Sequence, residues 1–265
     1  MSDSVVSPTD KLALSQRGNT LVVTINNPPA NTWDADSLGG LVDVVRAADA
    51  SKDIYAIVVT GSGEKFFSAG ADLKLFADGD KGVAASMAGY FGQAFETLSN
   101  FRGVTIAAIN GYAMGGGLEC VLACDIAIAE SHAQMALPEA TVGLLPCGGG
   151  TQNLAWTVGE GWAKRMILCG ERVNAQTAQE ISLVQEIVDA GQALGRALEL
   201  ADAVSKQSPP AVAACKALIQ KARHGDIGAA YATERESFVR LFDTRDQREG
   251  VNAFLEKRAP SWVNG

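Results

Sequence analysis

NGYAMGGGLEC, Asn110 to Cys120, continues from the apolar, β-branched run VTIAAIN, which ends on the same Asn110. Gly115, Gly116 and Gly117 fall where the chain leaves that predicted strand and enters a short helix through Leu118 to Cys124. N–H groups in the first turn of a helix have no partner within it and feel the positive end of its dipole. Such groups suit a developing oxyanion, and glycine lets a ligand come close to the main chain. Glu119 stands in that first turn, where the dipole also favours a carboxylate for purely structural reasons.

Outward from this stretch, LVVTIN (Leu21 to Asn26), AIVVTG (Ala56 to Gly61) and DIAIAE (Asp125 to Glu130) read as further strands. Helical stretches over Ala35 to Ala50 and Val83 to Asn100 lie between them. Strands that are apolar on both faces and alternate with helices predict an α/β class. The last third changes character: Gln192 to Gln207, Pro210 to Arg223, Ile227 to Phe242 and Gln247 to Lys257 all fit helical periodicity, and Pro209 and Pro210 punctuate them. The expected organisation is an α/β core over residues 1–200 followed by a helical module over 201–265.

Two other stretches invite a chemical reading. FFSAGADLK (Phe66 to Lys74) places small residues where the chain turns after a strand. ALPEATVGLLPCGGGTQ (Ala136 to Gln152) sets Glu139 behind Pro138 among apolar and small residues. A carboxylate there must be solvated, paired or used, and partial burial would raise its pKa toward the range useful for proton transfer.

The bulk numbers exclude several classes. Of 265 residues, 47% are hydrophobic and 20% charged, the balance of a globular protein with a sizeable core. A net charge of −8 argues against a dedicated nucleic-acid surface. MSDSVVSPTDKLAL lacks the basic start and apolar stretch of a signal peptide, and no run approaches the roughly 18 apolar residues of a membrane helix, so a cytoplasmic location without a membrane partner is expected. Five cysteines form no C-x-x-C pair, and Cys120 and Cys124 read as buried thiols of a helix. With only His132 and His224, a His-rich metal site is excluded. Gly61, Ser62 and Gly63 begin a dinucleotide fingerprint, but Phe66 stands where its third glycine belongs. Ser68 lacks the first glycine of a nucleophile elbow.

Five motifs in order, NPPAN (Asn27 to Asn31), FFSAGADLK, NGYAMGGGLE, LPEATVGLLPCGGGTQ and FLEKRAPSW, make the chain resemble the enoyl-CoA hydratases of the crotonase superfamily over nearly its whole length. The resemblance implies a crotonase-like spiral of ββα turns with a helical C-terminal trimerisation region, assembled as a homotrimer or as a homohexamer of two trimers. It implies that the amides of Ala71 and Gly116 hold a thioester oxygen. Glu119 and Glu139 would then flank a water added to a trans-2-enoyl-CoA, Glu119 as base and Glu139 as proton donor to the α-carbon. Coenzyme A enters as part of the substrate, with no separate cofactor. The resemblance places backbone from Ala69 to Asp72 around the adenine and Lys74 near the phosphates, with Leu73 also among the residues that bind coenzyme A. Phe254 and Lys257 would reach the coenzyme A of a neighbouring subunit. Phe76, Met87, Tyr90, Phe91 and Phe95 lie in the segment that borders the acyl pocket in this family, although aromatic residues at helical spacing also serve as ordinary core.

The chain departs from the family pattern at Cys147 and Ser182, where glycine is common, and at Asn153, where arginine is common. None of these removes a proton-transfer group. A 3-enoyl-CoA isomerase, another crotonase-type acyl-CoA reaction and a non-catalytic acyl-CoA or RNA-binding member are the competing expectations. The paired glutamates and acidic charge weigh against the last.

Overall fold

The computed structural model describes residues 5–223 and 227–265; His224 lies outside them. The chain opens with a hairpin of β1 (Leu12–Arg17) and β2 (Thr20–Ile25), whose two-residue turn uses Gly18 at φ 57°. Positive φ at that position matches the turn to the right-handed twist of the strands. α1 (Ala35–Ala50) follows. Oδ1 of Asp34 accepts from the Ser37 amide at 2.9 Å while Ser37 Oγ accepts from the Asp34 amide at 3.0 Å, a reciprocal cap that fixes where the helix begins.

From there the ββα pattern repeats. β3 (Ala56–Gly61), β4 (Phe66–Ser68) and α2 (Lys81–Ser99) form one turn. β5 (Val104–Ile109), β6 (Tyr112–Met114) and α3 (Gly116–Ala123) form the next. β7 (Ile126–Glu130), β8 (Gln134–Ala136) and α4 (Gly150–Leu168) complete a third. β9 (Val173–Asn174), α5 (Ala175–Glu180) and β10 (Glu186–Val188) close the core.

The first strand of each turn joins a six-stranded sheet of order β1-β2-β3-β5-β7-β10, and the second joins a four-stranded sheet of order β4-β6-β8-β9. Successive turns pair in parallel in both sheets, so the chain climbs as a spiral.

Alternation along the strands divides the apolar side chains between two clusters. Val23, Ile57, Val59, Ala107 and Ile109 join the large core with α1 and α2. Val22, Ala56, Val58, Ile106 and Ala108 point to the other face, where Ala193, Ala197 and Ala201 of α6 (Ala193–Val204) cover them at one-turn spacing. The expected division at residue 200 thus falls within a helix packed on the sheet. α7 (Pro209–Lys221), α8 (Ile227–Leu241) and α9 (Arg245–Leu255) follow it. Among the described residues no helix is long and apolar enough to cross a membrane.

Candidate active site

Two buried asparagines set the loop that delivers FFSAGADLK. Nδ2 of Asn110 donates to the carbonyls of Gly61 at 2.9 Å and Gly63 at 2.7 Å, and its Oδ1 accepts from the Gly61 amide at 3.1 Å. Nδ2 of Asn31 donates to the carbonyls of Ser62 and Phe66, both at 2.9 Å. The main chain then runs close to the glycine triplet. A β-carbon on Gly70, which holds φ 89°, would stand 2.7 Å from the Met114 carbonyl oxygen and 3.0 Å from the Gly116 nitrogen, so only glycine fits there.

Ala71 and Gly116 present their amides for different reasons. Trp33 donates to the Gly70 carbonyl at 2.8 Å and accepts from the Asp72 amide at 3.1 Å, a parallel bridge whose two bonds flank Ala71. The N–H of Ala71 itself therefore faces away from Trp33. Gly116 is the first residue of α3, and its N–H has no acceptor one turn back in the helix. Both residues line one apolar cavity of about 730 Å³, together with Ala69, Leu73, Phe76, Phe91, Glu119 and Glu139.

Glu119 is buried at 2% exposure. Its Oε1 accepts from the amides of Gly148 at 2.7 Å and Gly150 at 2.8 Å, the latter the first residue of α4. Burial raises its pKa, while these two amide bonds pull it back down; burial wins. Glu139 opens the 3₁₀ turn Glu139–Val142, and its Oε2 is buried without a hydrogen-bond partner. Burial foremost, with the charge of Glu119 adding to it, pushes Glu139 up to about 7. Its Oε1 would lie 3.1 Å from a β-carbon on Gly115, which holds φ 52°. One cavity thus holds two carboxylates in unlike environments, one tied to backbone amides and one with a free oxygen. Such a pair can divide acid and base roles.

The structure brings Ala69, Ala71, Leu73, Gly116, Glu119 and Glu139 to the cavity. Asp72 caps the 3₁₀ turn Leu73–Phe76 by accepting from the Lys74 amide at 3.1 Å; Leu73 and Phe76 of that turn line the cavity, and Asp72 and Lys74 do not. Phe254, 83% exposed near the end of α9, and Lys257 just past that helix are not part of the cavity lining. The aromatic segment divides: Phe76 and Phe91 line the cavity, Met87 and Phe95 belong to the core, and Tyr90 is exposed. Ser182 holds φ 66°, which accounts for glycine being usual at its position. Cys147 also lines the cavity; the residue is exposed, but partial desolvation together with both carboxylates pushes its thiol up to about 11.

Sequence reasoning missed the roles of Gly148 and Gly150. The available signal was a second glycine triplet directly before a helix, the same arrangement that drew notice at Gly115 to Gly117.

The sequence model of the enoyl-CoA hydratase/isomerase family matches residues 15–265. The chain is 38% identical to the 2,3-dehydroadipyl-CoA hydratase of Escherichia coli, covering 95% of this chain and 98% of that protein. It is 36% identical to the short-chain-enoyl-CoA hydratase of Clostridium acetobutylicum, covering 94% and 96%. Among solved structures, Pseudomonas aeruginosa DspI superposes with a TM-score of 0.95 at 63% identity, covering 98% of this chain and 99% of that one. An enoyl-CoA hydratase from Bacillus anthracis does so with a TM-score of 0.93 at 31% identity, covering 97% and 100%.

Proposed function

The chain belongs to the enoyl-CoA hydratase/isomerase family of the crotonase superfamily, and on that premise we propose that it is an enoyl-CoA hydratase, adding water reversibly to trans-2-enoyl-CoA to give 3-hydroxyacyl-CoA. The observation that carries this reading is the meeting of Glu119 and Glu139 in one apolar cavity with Ala71 and Gly116.

In the proposed reaction the water oxygen bonds to the β-carbon, and the electrons of the double bond move toward the thioester oxygen. The amides of Ala71 and Gly116 hold that oxygen as its charge grows. Glu119 accepts the proton of the water, and Glu139 delivers a proton to the α-carbon. Atoms and charges balance with water and protons alone, so the only coenzyme required is the one carried by the substrate.

The amide bonds to Oε1 of Glu119 leave its Oε2 for the water, and the unpartnered Oε2 of Glu139 is available to the same molecule. Hydrogen bonds to Asp72, Lys74 and the backbone near Ala69 are proposed for the nucleotide end of coenzyme A. Phe254 and Lys257 of a neighbouring copy are proposed to complete that site in a homotrimer or homohexamer.

A panel of trans-2-enoyl-CoA thioesters of increasing length tests the reading, followed by loss of absorbance of the conjugated thioester and by identification of the 3-hydroxyacyl product. Absence of hydration across the panel, with a 3-enoyl-CoA converted to its 2-enoyl isomer, would replace hydratase with isomerase.

A further inference from the structure

The apolar cavity and a second hollow of about 730 Å³ between α1 and α2 share two lining residues, Ala88 of α2 and Cys147. The floor of the second hollow is bare: Ala88, Gly89 and Gly92 put almost no side-chain bulk on that stretch of α2. The rest of its lining mixes polar residues, Arg46, Asp49, Gln93, Glu96, Thr97 and Asn100, with the apolar Val45 and Phe101. Cys147 lines a third hollow as well, next to Gly92 and Gly148, so this residue borders three hollows. The apolar cavity and the neighbouring slot therefore adjoin at two small residues, Ala88 and the exposed Cys147. A cavity closed by large side chains would set a sharp limit on acyl length. One bounded by two small groups beside a ready-made slot does not.

Resting on the acyl-CoA reading of the cavity, we propose that Ala88 and Cys147 form an outlet from it, beyond the two glutamates, and govern chain-length preference. The end of a long, straight acyl chain passes between them into the slot along Ala88, Gly89 and Gly92. Cys147 stands beside the two glutamates, next to Gly148 that holds Glu119, so the outlet receives whatever part of the chain extends beyond the reacting carbons. Each further methylene that finds apolar contact adds to binding, so long thioesters are retained instead of rejected.

The test reads Cys147 directly. The protein is treated with N-ethylmaleimide in the presence of butanoyl-CoA or dodecanoyl-CoA, each at a concentration shown by calorimetry to saturate it, and alkylation is followed residue by residue by mass spectrometry. Both ligands are saturated thioesters, so no turnover is involved. Dodecanoyl-CoA is expected to slow alkylation of Cys147 by at least about tenfold and butanoyl-CoA by less than about twofold, because only the longer chain covers the thiol. Cys169 and Cys215, exposed like Cys147 but outside the cavity lining, are the internal references and should react alike in both samples. Equal protection of Cys147 by the two thioesters, or none by dodecanoyl-CoA at saturation, overturns the outlet.

A second measurement uses Ala88→Phe, which should lower the ratio of kcat/KM for trans-2-dodecenoyl-CoA over crotonyl-CoA by at least about tenfold, the equivalent of a few lost methylene contacts. An unchanged ratio overturns the proposal; if the variant does not fold, the alkylation contrast in the unaltered protein decides. A protein that hydrates no enoyl-CoA yet shows the alkylation contrast loses the hydratase reading alone. One that hydrates them without the contrast loses the outlet alone.

Discussion

The amide of Gly150 donates to Oε1 of Glu119 at 2.8 Å, and a β-carbon on residue 150 would stand 2.9 Å from that same oxygen. The start of α4 thus orients the carboxylate and leaves no room for a side chain beside it. Gly150→Ala should push Glu119 off its position while leaving the strand ladders untouched. Misplacement of a reacting group by about 1 Å can cost about a hundredfold, so kcat should fall by about that factor with acyl-CoA affinity changed far less. Steady-state kinetics with calorimetric binding checks it; an unchanged kcat would mean that the amide contact does not set the geometry of Glu119.

Proton bookkeeping fixes the pH dependence. Hydration as proposed needs Glu119 ionised and Glu139 protonated, and dehydration needs the reverse, so both directions use the pair carrying one proton. With Glu139 pushed up to about 7, kcat/KM should fall above that pH, by the same factor in both directions. Stability follows the same shift. The folded protein keeps on Glu139 a proton that the unfolded chain releases near its ordinary value of 4.5. That contribution is intact below 4.5 and is lost as pH rises through about 7. Glu139→Gln should therefore raise the unfolding temperature relative to the unaltered protein above pH 7, with the difference vanishing below 4.5. Thermal melts across that window, and rate profiles in both directions, are the measurements.

What the sequence disclosed follows from how far its signals reach. The helix over Ala35–Ala50 was legible to the residue, since its apolar positions recur at helical spacing and packing agrees with them. β6 and β8 have three residues each, too few to show a period, and exist because the spiral offers each a parallel neighbour. Glu119 and Glu139 stood out because carboxylates in glycine-rich and apolar stretches need a reason. The bonds from Gly148 and Gly150 to Glu119 join residues 29 and 31 positions apart, and no local pattern predicts such a contact. Cys147 was visible as a departure from the family pattern, but its place bordering three hollows depends on how α2 packs beside the loop.

Gly116 tests the oxyanion proposal. Its N–H opens α3, where proline is tolerated by the helix itself. Gly116→Pro removes the donor, although added side-chain atoms also meet the ring of Phe91, 2.6 Å from a β-carbon at this position. Loss of one donor to a developing oxyanion costs about a hundred- to a thousandfold in kcat. The expected result is a loss of that size with a much smaller fall in acyl-CoA affinity. Equal losses in both would point to the collision with Phe91 instead.

Lys257 tests the cross-subunit site. If its ammonium in one copy meets a phosphate of coenzyme A held by another, Lys257→Ala should raise KM for coenzyme A thioesters by about tenfold, the size of a charge-assisted hydrogen bond. Short thioester analogues lacking the nucleotide should be unaffected. An unchanged KM for the full thioesters removes Lys257 from the site.

The remaining prediction separates hydration from double-bond migration. An isomerase takes a proton from one carbon and returns it to another, a task for one carboxylate, whereas hydration also needs an oxygen held for attack. Glu139 alone, with its free Oε2 and raised pKa, would suffice as a proton shuttle. Glu119, tied to two amides, has its clearest use in fixing a water. Glutamine at 119 can still accept both amide bonds through its carbonyl oxygen but cannot take a proton. Glu119→Gln should therefore fold normally and lose at least about a hundredfold in kcat, as should Glu139→Gln. Because both groups act on one water, the double substitution should cost much less than the product of the single losses. Turnover and binding measured on the three variants decide the matter. Nearly full activity in Glu119→Gln beside an inactive Glu139→Gln would leave a one-carboxylate isomerase as the better account of the site.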